Sequence, residues 1–255
     1  MNLRKLAVVI VLIAVSAGFA CAQDLTVAAA ADLQFAMQDV AARFQKDSGK
    51  QVKVIYGSSG AFTQQIQNGA PFDLFFSANL DYPNQLEAAN LIESGSTYQY
   101  ATGKLVLWAP NASPVDLGPG LRALLNPAVK KVAIANPEHA PYGKAAVAAM
   151  QTEKLYDKVK DKLVLGENIS QTATFVVSGA ADVGLVALSL AISPNMKDKG
   201  RYVEVTAADY PPIEQACVIL RASKNKDLAR KFVEFVKSPA TAELLKTYGF
   251  AVGVK

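Results

Sequence analysis

Two adjacent serines, Ser58 and Ser59, stand between Gly57 and Gly60 in "YGSSGAFTQQIQNG", immediately ahead of a helical pattern. Small hydroxyl residues on freely turning backbone at a helix start can hold an anion. The first turn of a helix leaves about four N–H groups unpaired and carries roughly half a positive charge. The same residues also make an ordinary capped turn. Three other stretches have this form: "AAAADL", "NPEHAPYGKAA" and "GENISQTA". Each also has a plain structural reading, with Asp32 and Asn168 as helix caps, Pro141 as a first-turn proline and Gly143 as a flexible joint. If several such helix starts met at one point, they would bind an anion through backbone donors and the hydroxyls of Ser58 and Ser59, without lysine or arginine.

Other chemistries find less support. His139 is the single histidine, and no CxxC or HExxH spacing occurs, so a metal site would rest on scattered carboxylates. A serine hydrolase would need His139 together with Ser58 or Ser59. Yet "GSSGA" is not the G-x-S-x-G elbow, because Ala61 stands two places after Ser59. The glycines of this turn form neither a dinucleotide fingerprint nor a phosphate-binding loop ending in lysine. No dense basic run or aromatic-basic interleaving suggests nucleic acid.

The elements that would position these turns read as α/β. Short apolar runs, "DLTVAAA", "VKVIYG", "DLFFSA", "KLVLWAP", "KVAIAN", "DVGLVALS", "YVEVT" and "ACVIL", alternate with helical patterns, which argues for largely parallel sheets. Helices are expected from Leu33 to Gly49, at about 60–69, 80–89, 141–156 and 168–179, and as a C-terminal pair at about 224–236 and 239–247. Eight or more strands are too many for one small sheet, and no Pro/Gly/Ser tract separates two beads. A two-lobed body whose chain crosses between lobes more than once reconciles these facts, with crossings expected near 102–106 and 203–209.

The first 22 residues read as an export signal. Arg4 and Lys5 precede an apolar run from Leu6 to about Val15, and small residues follow through Ala20-Cys21-Ala22. Cleavage there removes two of the 26 Lys and Arg, leaving 24 against 22 Asp and Glu, a net charge of +2. Lipidation of Cys21 is the less favoured alternative, since Gly18 stands where that signal normally has a leucine-like residue. Cys217, the cysteine that remains, lies in the apolar "ACVIL" and reads as a small buried hydrophobe.

Taken together, "AAAADLQFAMQDVAARF", "YGSSGAFTQQIQNGAPFDLFFSAN", "NPEHAPYGKAA", "ENISQTATFVVSGAADVGLVALS" and the C-terminal "YGF" resemble the periplasmic molybdate-binding proteins of ABC transporters, over about residues 24–251. The resemblance implies a two-lobed type II periplasmic binding-protein fold, each lobe a mostly parallel sheet flanked by helices. Residues 23–104 with 207–255 would form one lobe and 105–206 the other, with molybdate or tungstate held between them. It implies delivery to an inner-membrane permease with its ATPase, a periplasmic monomer, no enzyme activity, no cofactor and no direct ligands to a metal cation. Carried over residue by residue, the oxyanion donors fall on backbone N–H groups of Ala31, Asp32, Tyr142 and Ile169, and on the hydroxyl and backbone of Ser59 with Ser58 beside it. Two departures stand out. Asp32 replaces a serine or asparagine of some relatives, and its carboxylate is expected to turn back and cap its own helix. Ala187 stands where some relatives have a tyrosine donor, and the ring of Tyr142 is expected to compensate partly as a wall. Phosphate or sulfate as ligand, and an exported serine hydrolase on the same scaffold, remain the alternatives.

Overall fold

The computed structural model of the protein describes residues 24–253. The export signal, its cleavage site and Cys21 lie outside the described residues. Ten strands alternate with helices: β1 Leu25–Ala30, β2 Val52–Gly57, β3 Leu74–Ser77, β4 Tyr98–Gly103, β5 Leu105–Pro110, β6 Val132–Ala135, β7 Leu163–Gly166, β8 Val183–Ala187, β9 Gly200–Glu204 and β10 Ile213–Ile219. The helices are α1 Gln34–Ser48, α2 Ser59–Gln67, α3 Asp81–Ala88, α4 Pro141–Thr152, α5 Tyr156–Val159, α6 Ile169–Val177, α7 Leu188–Ala191, α8 Lys226–Val236 and α9 Pro239–Thr247.

The strands form two five-stranded sheets, in the orders β2-β1-β3-β10-β4 and β7-β6-β8-β5-β9. Both sheets are mixed. In the first, β1 pairs parallel with β2 and β3, whereas β10 runs antiparallel to β3 and β4. In the second, β6 pairs parallel with β7 and β8, whereas β5 runs antiparallel to β8 and β9. The parallel half of each sheet is where strand-helix alternation could be read. The antiparallel half comes from strands that arrive from the other sheet: the chain crosses at Lys104, between β4 and β5, and again over 205–212, between β9 and β10. β4 was not among the expected strands, since its "YQYATG" is a mixture of polar and aromatic residues rather than an apolar run.

Helix ends follow local chemistry. α1 buries Ala36, Met37, Val40 and Phe44 on one stripe and stops at Gly49, whose φ of 69° is left-handed. α4 ends four residues before the expected position 156, at Thr152. Lys154 takes a left-handed φ of 57°, and the Leu155 N–H reaches back to the Met150 carbonyl at 2.7 Å, a Schellman closure.

Two apolar clusters cover the faces of the first sheet. In one, Phe44 of α1 meets Phe232 of α8 edge to face at 5.0 Å. The other gathers Phe62, Phe72 and Phe75. The third cluster fills the second lobe and also includes Ala30, Ala31 and Ala78 from the strand ends of the first, so the lobes touch through packed small residues. Cys217 is buried in β10, and burial pushes its thiol up to about 12, so it behaves as an apolar side chain.

Candidate functional site

The four small-residue turns follow the carboxyl ends of β1, β2, β6 and β7, the end of a parallel sheet where ligands collect. A 3-10 turn, Ala31–Leu33, leads from β1 into α1. Ser58 caps α2, its Oγ accepting from the Ala61 N–H, and Asn168 caps α6, accepting from the N–H groups of Ser170 and Gln171. Pro141 occupies the first turn of α4, where the N–H it lacks would have had no partner.

All six residues singled out from the sequence line one tight cavity of about 10 Å³ at the junction of the lobes: Ala31, Asp32, Ser58, Ser59, Tyr142 and Ile169. None of the lining residues is lysine or arginine. Among the described residues, the backbone N–H groups of Ser59, Tyr142 and Ile169 make no hydrogen bond to a protein acceptor, whereas that of Asp32 turns towards its own carboxylate. Three element starts thus bring unspent donors to the walls of a single cavity. The Ser59 Oγ accepts from the Ala78 N–H at 3.0 Å, which leaves its hydroxyl hydrogen free to donate.

Asp32 does not cap α1. No side chain caps either the 3-10 turn or α1. Instead the carboxylate is buried, and its Oδ2 accepts from Gln215 Nε2 at 2.6 Å and from the Tyr142 hydroxyl at 3.1 Å. Asp32 sits inside the 3-10 turn rather than at an extended cap position, so its side chain projects towards β10 and α4 instead of back along the helix. The N–H groups of Asp32 and Leu33 favour the charged form only slightly. Burial dominates and raises the carboxyl from 3.8 to about 6, against the lowering effect of Gln215 and Tyr142. Oδ1 is buried without any partner. The hydroxyl of Tyr142 therefore serves Asp32, beyond the wall role expected of its ring.

Three residues of this network went unread in the sequence. Gln215 is fully buried and accepts from the Tyr100 hydroxyl at 2.7 Å, and Ser189 of α7 donates to the Asp32 carbonyl at 2.7 Å. A glutamine inside the apolar "IEQACVIL" was a visible signal, since a buried amide needs partners. Ser189 and Tyr100 carry no such mark.

Further contacts join the lobes around the cavity. The Gly60 N–H donates to the His139 carbonyl at 2.9 Å, Ser170 Oγ donates to Gln34 Oε1 at 2.7 Å, and His139 Nδ1 lies 2.8 Å from Ser58 Oγ. His139 Nε2 is 3.6 Å from Glu167. Serine, histidine and acid are therefore aligned, but the cavity, at about 10 Å³, is far smaller than the roughly 300 Å³ at which pockets for organic ligands begin. Gly60 must lack a side chain here: a Cβ would come 2.7 Å from the His139 carbonyl oxygen and 2.6 Å from the Tyr82 hydroxyl. Gly60→Ala should weaken ligand binding about five- to 150-fold by adding roughly 1–3 kcal/mol of overpacking to the closed arrangement. Calorimetry on the variant checks this, and unchanged affinity would show that the Gly60–His139 contact is not required for binding.

Residues 25–251 match the family model described as bacterial extracellular solute-binding protein. The chain is 39% identical over 244 residues to the molybdate-binding protein ModA of Azotobacter vinelandii, covering 94% of this chain and 96% of that one. It is 36% identical to the ModA of Rhodobacter capsulatus, covering 91% and 89%. Among solved structures, the periplasmic molybdate-binding protein of Azotobacter vinelandii superposes with a TM-score of 0.84 at 34% identity, over 90% of this chain and all of that chain.

Proposed function

This chain belongs to the bacterial extracellular solute-binding protein family, and from that premise we propose that it captures molybdate or tungstate between its lobes and delivers it to an ABC transporter permease and its ATPase. The observation that supports this reading most is the group of unpaired backbone N–H donors at one small cavity without a lysine or arginine in its walls. Fixed neutral dipoles suit a fully ionised tetrahedral anion, which accepts hydrogen bonds and offers none. An anion that bears a proton needs an acceptor, and a smaller one such as sulfate leaves the donors too distant. The names of the molybdate-binding relatives support the same ligand class.

In this reading the oxyanion donors are the N–H groups of Ala31, Asp32, Tyr142 and Ile169, the Ser59 hydroxyl and N–H, and Ser58 at the rim. The lobes divide at 104/105 and 206/207, and they close by rotation about those two crossings. The protein works as an exported monomer that binds rather than transforms its ligand. Among the described residues no helix is long and apolar enough to cross a membrane.

Calorimetric titration with molybdate, tungstate, sulfate and phosphate tests the assignment: the first two should bind and the last two should not. Sulfate or phosphate binding as tightly as molybdate would overturn the ligand while leaving the architecture in place. Ser59→Ala should cost roughly 1.5–3 kcal/mol of binding, the worth of one hydrogen bond to a charged group. Unchanged affinity would remove Ser59 from the site. The same substitution leaves the buried Ala78 N–H without its acceptor, so a lower melting temperature should accompany the loss.

A further inference from the structure

Asp32 is the only carboxyl among the residues that line the cavity, which makes it an unwelcome neighbour for a dianion. Its two oxygens are in different situations. Oδ2 accepts from Gln215 Nε2 and Tyr142, while Oδ1 is buried with no partner. The surrounding donors can be assigned one by one. The Tyr100 hydroxyl gives its hydrogen to Gln215 Oε1 at 2.7 Å. The Gln215 amide donates to Asp32 Oδ2 and, at 3.2 Å, to the Tyr142 hydroxyl oxygen. Tyr142 then has its own hydrogen for Oδ2. Oδ2 is thus held as an acceptor whether or not the acid is ionised, and a proton has one place to go, Oδ1.

We infer that Asp32 takes up one proton when the cleft closes on a dianionic oxyanion, so that the Oδ1–H group becomes a neutral donor facing the ligand and binding is coupled to pH. The proton comes from solvent or a buffer acid: an O–H bond forms at Oδ1, one breaks in the donor acid, and the oxyanion stays unprotonated. This rests on the reading of the cavity as an oxyanion site. It adds a specificity-determining role for a side chain that would repel the ligand if it stayed charged.

The groups packed against Asp32 leave it as the titrating member. Tyr142 from α4 and Tyr100 from β4 are both raised well above the ordinary tyrosine range, first by burial and then by the charge of Asp32, so both stay neutral. Gln215 from β10 and Ser189 from α7 are uncharged partners. No lysine, arginine or histidine is among the influences on Asp32. His139 contacts Ser58 rather than the acid. Burial, opposed by the hydrogen bonds of Gln215 and Tyr142, holds the carboxyl at about 6, and a dianion beside it raises it further.

Titration of the exported protein with sodium molybdate, in pairs of buffers that differ in ionisation enthalpy, counts the protons. With a free carboxyl titrating at about 6, uptake should be about 0.5 proton per molybdate at pH 6 and about 0.9 at pH 7, and affinity should fall about tenfold per pH unit above pH 7. Asp32→Asn should abolish the uptake and make affinity flat over that range. Tyr142→Phe, which removes one hydrogen bond to Oδ2 but keeps the ring and backbone, should move the half-point of uptake to higher pH, and His139→Gln should leave the uptake in place. Tight molybdate binding by the unsubstituted protein with no proton uptake at pH 7 overturns this inference alone. Failure to bind molybdate or tungstate at any pH overturns the oxyanion reading together with it. The count is made on the unsubstituted protein, so poor folding of a variant cannot hide the answer.

Discussion

Alanine at position 143 should lower the unfolding free energy by about 3 kcal/mol or more, at or above the top of the usual overpacking range. Gly143 lies in the first turn of α4, where that helix leans on the end of β6. A Cβ there would collide with the Ala135 carbonyl oxygen and approach the Ala135 carbonyl carbon to 2.7 Å and the Pro137 nitrogen to 2.9 Å. All three are backbone atoms, so no side chain can swing aside. Relief requires α4 to move away from the sheet, and that motion carries Tyr142 away from Asp32 and from the cavity. Urea unfolding measures the stability change, and a molybdate titration of the surviving folded protein should show weakened binding as well. A variant within about 0.5 kcal/mol of the native chain, the usual range for harmless surface changes, would mean that the close approach of α4 to β6 is dispensable.

The second large effect concerns Asp32 in the absence of ligand. Its folded-state carboxyl is raised from 3.8 to about 6, principally by burial. A raised acid stabilises the fold fully below its unfolded value and loses that contribution as pH rises through its folded value, so the window runs from about pH 4 to pH 6. A shift of about two units corresponds to about 3 kcal/mol. Other carboxylates titrate in the same window, so the useful quantity is the difference between the native protein and Asp32→Asn. That difference should move by about 2.4 kcal/mol in favour of asparagine between pH 4 and pH 7. Denaturant unfolding at the two pH values reads it directly. A difference that stays constant would mean that the buried carboxyl is not perturbed and that its neighbours fully compensate its charge.

Both effects arise from the same arrangement. A cavity built from uncharged backbone donors has little to offset a negative side chain, and this site includes one. Gln215 and Tyr142 hold one oxygen of Asp32, while burial works against the charge as a whole. The network draws on elements of both sheets: Tyr100 and Gln215 stand on strands of the first and Asp32 follows its β1, while Tyr142 opens α4 after β6 and Ser189 lies in α7 after β8 of the second. Tyr142 reaches Asp32 from the second lobe, so the surroundings of the carboxylate depend on how the two lobes pack.

By itself the amino-acid sequence determined the elements and the chemistry of their starts. The apolar stripe of α1, the left-handed stop at Gly49, the proline opening α4 and the caps Ser58 and Asn168 all follow from contacts within about four residues. That is why the turns around the cavity could be read locally, whereas the full set of six cavity residues was what the family resemblance implied. Tertiary structure alone decided what depends on residues far apart in the chain. The antiparallel halves of the sheets and the strand β4 exist because the chain crosses between lobes and returns. The direction of the Asp32 side chain was set by partners 110 and 183 residues away. A local cap was available to that carboxylate in principle, but in the packed interior two distant donors were better placed. Desolvation of the whole group, which no short window of sequence expresses, then set its charge.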